Sequence, residues 1–408
     1  MGEHEGIVNL EGIQYLKNLS DLKLVFNDIE NIEPLNELTS LTKLDLAYNK
    51  IKDISPLSNL TNLHYLNLQS NNISNIHPLG QLINLESLIL YNNKISDISP
   101  LSHLNQLKEL DLYINNIQDI YPLSGLKNLT NLSLGSNKIT TLNPLKDLIK
   151  LNTLEASNNK IVDINPLSHL TDIKTLTLDT NSIQDITSLK NLNQLESLEL
   201  SANKIKSLIS LQSLTHLNFL DLEQNQIHNL KGLSGLTNLE NLRLGGNRIT
   251  NVDELNPLIN LRYLALNNNE ITDISPLASL VNLRNLNLSN NKITDIRLLK
   301  GLPNLISLNF RENPVPQYEY QEVVYKDFII NLLFQQIEDA IKNYYGELRA
   351  FEDADIVELE KINGNYKLKI RIVTFVGAHN PPYGLDVLTI VKDDSGIHVT
   401  DFVHEDYE

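Results

Sequence analysis

The chain contains no cysteine, so disulfide bonds, thiol catalysis and thiolate metal sites are excluded. It also has no run of about 20 apolar residues, the length that a membrane-spanning helix requires, and we expect no membrane span. Basic residues are scarce, because 33 Lys and Arg stand against 50 Asp and Glu, a formal net charge of -17. Nucleic-acid phosphates need a basic surface, so this balance argues against nucleic-acid binding.

What the chain does contain is a strict repeat. An asparagine recurs every 22 residues, without insertion or deletion, inside the frame Leu-x-x-Leu-x-Leu-x-x-Asn-x-Ile. A fixed period in this range is typical of stacked coils that share one core, so the sequence predicts a solenoid over residues 1–316. The fourteen ladder asparagines, as we name them, are Asn27, Asn49, Asn71, Asn93, Asn115, Asn137, Asn159, Asn181, Asn203, Asn225, Asn247, Asn269, Asn291 and Asn313.

Each repeat predicts one coil. The alternation of leucine and polar residues is that of a short strand with one buried face, whose leucines point inward. The ladder asparagine follows, and its amide is expected to bond backbone groups of its own and neighbouring coils. The predicted fold class is thus an α/β leucine-rich repeat solenoid with a parallel concave sheet.

The convex side is marked by a segment such as Asp53–Leu57, with the sequence Asp-Ile-Ser-Pro-Leu. Proline fixes φ and lacks a donor, so this side is expected to be extended or a short 3₁₀ turn. The aspartate recurs in one column of the repeat, which favours turn capping over a catalytic pair. Looser turns are expected where another residue replaces the proline, at Ser188, Ser210, Gly232, Glu254 and Leu298.

The sequence motifs of the repeats resemble those of the internalin family of Gram-positive bacteria. The resemblance rests on Gly12–Leu16, on Asn59–Leu63 and on the Asp-Ile-Ser-Pro-Leu segments at 53–57, 97–101 and 273–277, and it covers about residues 7–316. It implies a binding scaffold that recognises a host or cell-surface protein through its concave face. It does not imply which partner is bound.

Two departures from that family affect the expected location. Residues 1–6 lead straight into a partial repeat without a signal peptide, and no sorting motif or hydrophobic tail follows the second domain. The resemblance implies a secreted or surface protein of a Gram-positive bacterium. Because signal and anchor are absent from this chain, either the chain is a trimmed form of a longer protein or it is not exported by that route, and a cytoplasmic location is the alternative.

The repeat frame stops at residue 316, and residues 317–408 predict a small α+β domain. Gln317–Tyr345 has apolar residues at helical spacing, and four strand-like runs follow at 356–362, 366–375, 385–391 and 397–403. The expected arrangement is one long helix on a four-stranded antiparallel sheet. From about residue 325 onward, the loop at 379–384 and the pair Tyr344–Tyr345 resemble a small Gram-positive domain of unknown function.

The loop His-Asn-Pro-Pro-Tyr-Gly is the most distinctive part of this domain. Its prolines favour a rigid connection with Tyr383 packed on the sheet. Alternatively, His379 and Asn380 serve with Tyr383 in recognition of a peptide or glycan, or His379 acts as a general base. The histidines of the repeats share no metal-ligand spacing, so no metal site and no cofactor are expected.

Concave positions lie six, four and two residues before each ladder asparagine, and the preceding residue lies at the rim. Aromatic side chains on adjacent strands are typical anchors of protein interfaces. Packing against one another within the sheet is the alternative. The first candidate surface comprises Asp45, Tyr48, Tyr65, Ile89, Tyr91, Asp111, Tyr113 and Ile114, and the second comprises Phe219, Asp221, Arg243 and Tyr263. The acidic residues between them are expected to form a solvated face or a seat for a basic partner.

These observations predict a non-enzymatic protein-binding scaffold, monomeric or weakly dimeric. The partner is expected to be a host or bacterial surface protein, bound mainly by Tyr48, Tyr65, Tyr91 and Tyr113. Three alternatives stay open. They are a hydrolase-like or ligand-binding activity around His379 with the solenoid as targeting module, a cell-wall-associated spacer, and a cytoplasmic regulatory scaffold.

Overall fold

Each repeat forms one three-residue strand centred on a leucine that is buried in all but the last repeat, as in Glu109–Asp111, where Leu110 is 1% exposed. The computed structural model describes residues 6–315, 333–345, 350–362, 365–375, 384–393 and 396–405. The chain divides into two units, Met1–Pro314 and Val315–Glu408.

The first unit contains fourteen strands in one parallel sheet, ordered as in the sequence. The central leucines of neighbouring strands are paired, for example Leu22 with Leu44. The strands are β1 (Asp21–Lys23), β2 (Lys43–Asp45), β3 (Tyr65–Asn67), β4 (Ser87–Ile89), β5 (Glu109–Asp111), β6 (Asn131–Ser133), β7 (Thr153–Glu155), β8 (Thr175–Thr177), β9 (Ser197–Glu199), β10 (Phe219–Asp221), β11 (Asn241–Arg243), β12 (Tyr263–Ala265), β13 (Asn285–Asn287) and β14 (Ser307–Asn309). This confirms the predicted solenoid with its parallel concave sheet.

The ladder asparagines tie each coil to the preceding one. The Nδ2 atom of Asn49 donates to the carbonyl of Leu24 at 2.8 Å and to that of Leu46 at 3.0 Å. Its Oδ1 atom accepts from the backbone nitrogen of Ile29 at 3.1 Å. Both polar ends of a buried amide are thereby satisfied, which removes the penalty for burying it.

The convex side consists of short 3₁₀ turns, as predicted. The aspartate before the proline caps them, since Asp53 accepts from the backbone nitrogen of Ser55 at 2.9 Å. The 3₁₀ turns of the coils are Glu33–Leu35, Ser55–Leu57, His77–Gln81, Ser99–His103, Tyr121–Gly125, Asn143–Leu145, Asn165–His169, Thr187–Asn191, Ile209–Leu211, Asp253–Leu255, Ser275–Ser279 and Arg297–Gly301, and Ile13–Tyr15 forms another before β1.

The expectation of looser convex turns is right only at Gly232, whose coil has a simple turn instead. Gly232 has a φ of +107° and lies against the carbonyl oxygen of Leu208, where a Cβ would collide. The other coils without proline keep their 3₁₀ turns. In two of them the capping aspartate suffices, because Asp185 and Asp295 still accept from the backbone nitrogen two residues later.

The second unit confirms the α+β prediction. One helix, α1 (Phe334–Tyr345), accompanies an antiparallel sheet of β15 (Ala350–Ile362), β16 (Asn365–Phe375), β17 (Gly384–Asp393) and β18 (Gly396–Glu405), in that order. The predicted helical segment 317–332 lies outside the described residues. Ile337 and Ile341 of α1 are fully buried and pack with alternate residues of the sheet, including Ile370 and Leu388.

Candidate functional site

The concave surface is built from the first and third residues of each strand and from the residue two positions beyond it. All the concave residues predicted from the sequence lie here, on β2–β5 and β10–β12 or just after them. Neighbouring parallel strands are about 4.8 Å apart, so side chains of equivalent positions form columns along the sheet. Each column can be compared coil by coil.

The rim residue before each ladder asparagine has a left-handed backbone. Its φ lies near +50° to +60° in most coils, for example +55° at Tyr48 and +52° at Ile114. This conformation suits Gly and Asn and strains bulky side chains. The rim position of this column was predicted from the repeat, but its left-handed conformation was not. The signal was the recurrence of Gly and Asn there, namely Asn92, Asn158, Gly246, Asn268 and Asn290.

Three bulky apolar residues nevertheless occupy this strained column with exposed side chains. Phe26, Tyr48 and Ile114 are 43%, 39% and 37% exposed. The ring of Phe26 stacks on that of Tyr48, with centroids 4.1 Å apart and planes 10° apart. Phe26 was not predicted from the sequence, which does not show that its ring meets that of Tyr48. We call Phe26, Tyr48, Tyr65, Ile89, Tyr91, Tyr113 and Ile114 the N-terminal patch.

A second ring pair of the N-terminal patch lies on the concave surface itself. Tyr91 and Tyr113 stack with centroids 5.6 Å apart. The next position of this column is Gly135, and a Cβ there would collide with the ring of Tyr113 and the carboxylate of Glu155. The absence of a side chain at Gly135 therefore leaves space for the Tyr113 ring. Tyr65 is half-buried, and this burial raises the pKa of its hydroxyl.

The predicted aspartates mainly organise the backbone. Asp45, Asp111 and Asp221 each accept from the backbone nitrogen two residues later, at 3.1, 2.9 and 2.9 Å. These bonds fix the chain as it leaves the strand. The three carboxylates therefore have a structural role that the sequence analysis did not assign.

The residues of the second candidate surface contact one another. The guanidinium of Arg243 lies between two rings, 5.2 Å from the centroid of Phe219 and 5.5 Å from that of Tyr263. It also approaches Asp221, with Nη1 3.7 Å from Oδ2. We call Phe219, Asp221, Arg243 and Tyr263 the arginine patch. Its rings already hold a cation of the same sheet.

The acidic residues of the concave surface, both between the two candidate surfaces and within them, are half-buried or buried. Burial raises the pKa values of Asp111, Glu155, Asp179 and Glu199, and it raises the pKa of Asp221 to about 6. The physical reason is crowding, because side chains on neighbouring strands exclude water from one another. Asp179 is further held by the backbone nitrogen and hydroxyl of Ser201, at 2.6 and 2.8 Å.

The predicted loop residues of the second unit, His379, Asn380 and Tyr383, lie outside the described residues. A different cluster is visible where α1, β17 and β18 meet. Asp386 is fully buried, and its Oδ1 is 2.7 Å from Nδ1 of His404 and 2.8 Å from the hydroxyl of Tyr345. The sequence signal was an aspartate on the same strand face as buried Leu388 and Ile390.

This cluster satisfies a buried carboxylate from two sides and thereby pins the helix to the sheet. In the part of the chain that the structure describes, no three His, Asp or Glu side chains lie close enough together to hold a metal ion. Among the same residues, no helix combines the length and apolar character needed to span a bilayer.

The repeats and the second unit both have counterparts among known proteins. The chain is 38% identical to an internalin (InlF) of Listeria monocytogenes, with a TM-score of 0.71 over 73% of this chain and 88% of that one. The chain belongs to the internalin family. Leucine-rich repeat models match at 17–59, 39–81, 61–103, 83–123, 105–147, 237–279 and 281–318, and residues 325–406 match the family described as "Protein of unknown function (DUF3888)".

Two other solved structures extend the comparison of this internalin-family chain. A leucine-rich repeat protein of Leptospira interrogans is 28% identical over 79% of this chain and 91% of that chain, with a TM-score of 0.71. The functional domain of InlJ from Listeria monocytogenes is 21% identical, with a TM-score of 0.61 over 100% of this chain and 89% of that one, and shows the fold alone. No curated protein matches the chain.

Proposed function

We propose that this chain is a non-enzymatic scaffold that binds a protein partner through the N-terminal patch on and beside its concave sheet. The partner is a host or bacterial surface protein, and the chain acts at the surface of a Gram-positive bacterium or after secretion. Membership of the internalin family supports this class of function. The choice of the N-terminal patch as the binding surface depends on the residues of that patch.

The observation that carries the proposal is the identity of the rim residues. Phe26, Tyr48 and Ile114 are exposed at backbone positions where a bulky side chain costs about 1–2 kcal/mol relative to Gly or Asn. Phe26 and Tyr48 stack on each other, but more than a third of each of the three side chains still faces solvent. Binding a partner is a reason to keep apolar side chains there.

The scaffold is also suited to binding without rearrangement. Every strand of the first unit is paired with its neighbours in register, and the ladder amides hold adjacent coils together. A preformed surface loses little conformational entropy on association, so the rings can contribute most of their contact energy to affinity. In free solution the same apolar surface supports at most a weak homodimer, with the chain otherwise monomeric.

The test is an affinity pull-down with the full chain as bait, against host-cell lysate and against bacterial envelope and cytosol fractions. The quadruple variant Tyr48→Ser, Tyr65→Ser, Tyr91→Ser and Tyr113→Ser should lose the partner. The matched control is the variant Tyr15→Ser with Tyr121→Ser, because these tyrosines are 79% and 71% exposed and lie on 3₁₀ turns outside the sheet. Retention of the partner by the folded quadruple variant would overturn the proposal.

A further inference from the structure

The structure contains a polar groove that the proposed function does not use. The groove has a volume of about 310 Å³ and lies beside β11–β14, just before these strands begin. All six residues that line it are exposed, so it is open to solvent. They are Glu240, Asn260, Arg262, Asn282, Arg284 and Asn304.

The charges in this groove are unbalanced. The residue just before the strand forms a column in which opposite charges pair elsewhere, as in Lys108 with Glu86 at 2.7 Å and Lys174 with Glu196 at 2.9 Å. In the groove, Arg262 and Glu240 are 3.7 Å apart. Arg284 follows Arg262 on the next coil, and among the described residues its guanidinium makes no ion pair.

The two arginines are direct neighbours along the stack. The backbone nitrogen of Arg284 donates to the carbonyl of Arg262 at 2.9 Å, as Arg262 does to Glu240 at 2.8 Å. Two guanidinium groups therefore project from adjacent coils beside a single carboxylate. This arrangement fits a ligand that brings its own negative charge.

The asparagines present acceptors beside these donors. Each Nδ2 atom donates to a backbone carbonyl of the preceding coil at 2.9 Å, from Asn260 to Thr237, from Asn282 to Ile259 and from Asn304 to Val281. With the amide nitrogen held in this way, the Oδ1 atom is left to accept from a ligand hydroxyl. The groove thus alternates anion-binding and hydroxyl-binding groups.

Two further features distinguish the C-terminal repeats from the other repeats. All arginines of the repeats occur after residue 237, at Arg243, Arg248, Arg262, Arg284, Arg297 and Arg311. Ile259 and Val281, which directly precede the groove asparagines, are 49% and 44% exposed. They form an apolar strip on which the C–H face of a sugar ring can pack.

We propose that this groove binds an acidic polysaccharide whose chain runs along the coils and places uronate carboxylates on Arg262 and Arg284. The two arginines are about 4.8 Å apart at the backbone and have long side chains, so they can reach carboxylates on successive or on alternate sugars. An extended peptide of Asp or Glu also carries carboxylates, but it has no side-chain hydroxyl for the asparagine Oδ1 atoms to accept from. The groove is a second site, separate from the N-terminal patch.

The experiment is isothermal titration of the full chain with an oligogalacturonate, with dextran and poly-L-glutamate as comparison polymers. The double variant Arg262→Gln with Arg284→Gln should lower the affinity for oligogalacturonate at least about tenfold, the effect of losing charge-assisted hydrogen bonds. The variant Lys174→Gln, which removes a paired cation from the same column, should bind normally. Thermal unfolding of both variants checks that they are folded.

Unchanged affinity in the double variant, or no binding of oligogalacturonate by the native chain, would overturn the proposal. Equal binding of poly-L-glutamate or dextran would also overturn it, because the charge or the sugar would then be irrelevant. Hyaluronan and teichuronic acid represent host and bacterial sources of the same chemistry. Binding of either that is lost in the double variant supports the proposal, and the tighter one identifies the source.

Discussion

The N-terminal patch and the arginine patch lie on the same sheet, but they differ in how their rings are used. In the N-terminal patch, rings stack on rings, and three bulky apolar side chains are exposed at strained positions. In the arginine patch, both rings face the guanidinium of Arg243, which also approaches Asp221. Aromatic content alone therefore does not identify a binding surface, because the partner of each ring must be known.

The largest expected effect separates the two patches by affinity. Once a partner is found, the quadruple tyrosine variant should weaken binding about 1000-fold, on the order of 4 kcal/mol if each ring contributes about 1 kcal/mol. The variant Phe219→Ser with Tyr263→Ser should bind almost normally, because those rings hold Arg243. Surface plasmon resonance measures both. Equal losses would show that the two patches act as one surface.

The next effect concerns the pH dependence of stability. The pKa of Asp221 is raised to about 6 by burial, so its folded-state carboxyl holds its proton more tightly than the unfolded chain does. Stability is therefore lost as the pH rises from about 4 to 6, by about 2 kcal/mol. Asp221→Asn should exceed the native chain in stability at pH 8 and match it near pH 4, as measured by urea unfolding.

Asp295 provides a control of opposite sign for this measurement. Hydrogen bonds from Arg297 lower its pKa to about 2, so its ionised form stabilises the fold, and this contribution is lost as the pH falls through the folded pKa. Asp295→Asn should therefore be less stable than the native chain at pH 8. If both variants shift stability in the same direction, the raised pKa of Asp221 is wrong.

Removing the sandwiched cation tests the structural role of the arginine patch. Arg243→Met keeps a long apolar side chain between the rings but removes the charge, and it should destabilise the array by about 1 kcal/mol. Affinity for the partner of the N-terminal patch should not change. A loss of affinity without a loss of stability would instead make Arg243 part of the binding surface.

The smallest expected effect is that of a variant that raises the stability of the chain and lowers its affinity for the partner. Ile114→Asn places a residue that tolerates positive φ in the rim column, so it should stabilise the chain by about 1 kcal/mol while weakening partner binding. Thr180→Asn is the matched control, because Thr180 has a φ of +54° in the same column outside the patch. It should gain stability and keep its affinity. Thermal unfolding and surface plasmon resonance give the two readouts.

Sequence reasoning worked where one interaction recurs in every repeat. The ladder asparagines, the strand leucines and the capping aspartates each satisfy the same local demand many times, so their columns are visible without coordinates. The prediction failed where the outcome depends on one neighbour. Phe26 matters because its ring meets Tyr48, and Asp386 because chain-distant Tyr345 and His404 reach it. The raised pKa of Asp221 follows from crowding between coils, which spacing along the chain does not show.

Each ladder asparagine forms hydrogen bonds to the coil that precedes it in the chain. Asn49 clamps Leu24 and Ile29 of the coil before it, and Asn313 does the same for Leu288 and Ile293. Each of these bonds breaks whichever of its two coils leaves first, so an inner coil is held on both sides and a terminal coil by one neighbouring repeat. Under a pulling force, the array should therefore unfold inward from its ends, one 22-residue step at a time. The N-terminal patch begins in the first of the fourteen repeats, so pulling on the N-terminus should open it early.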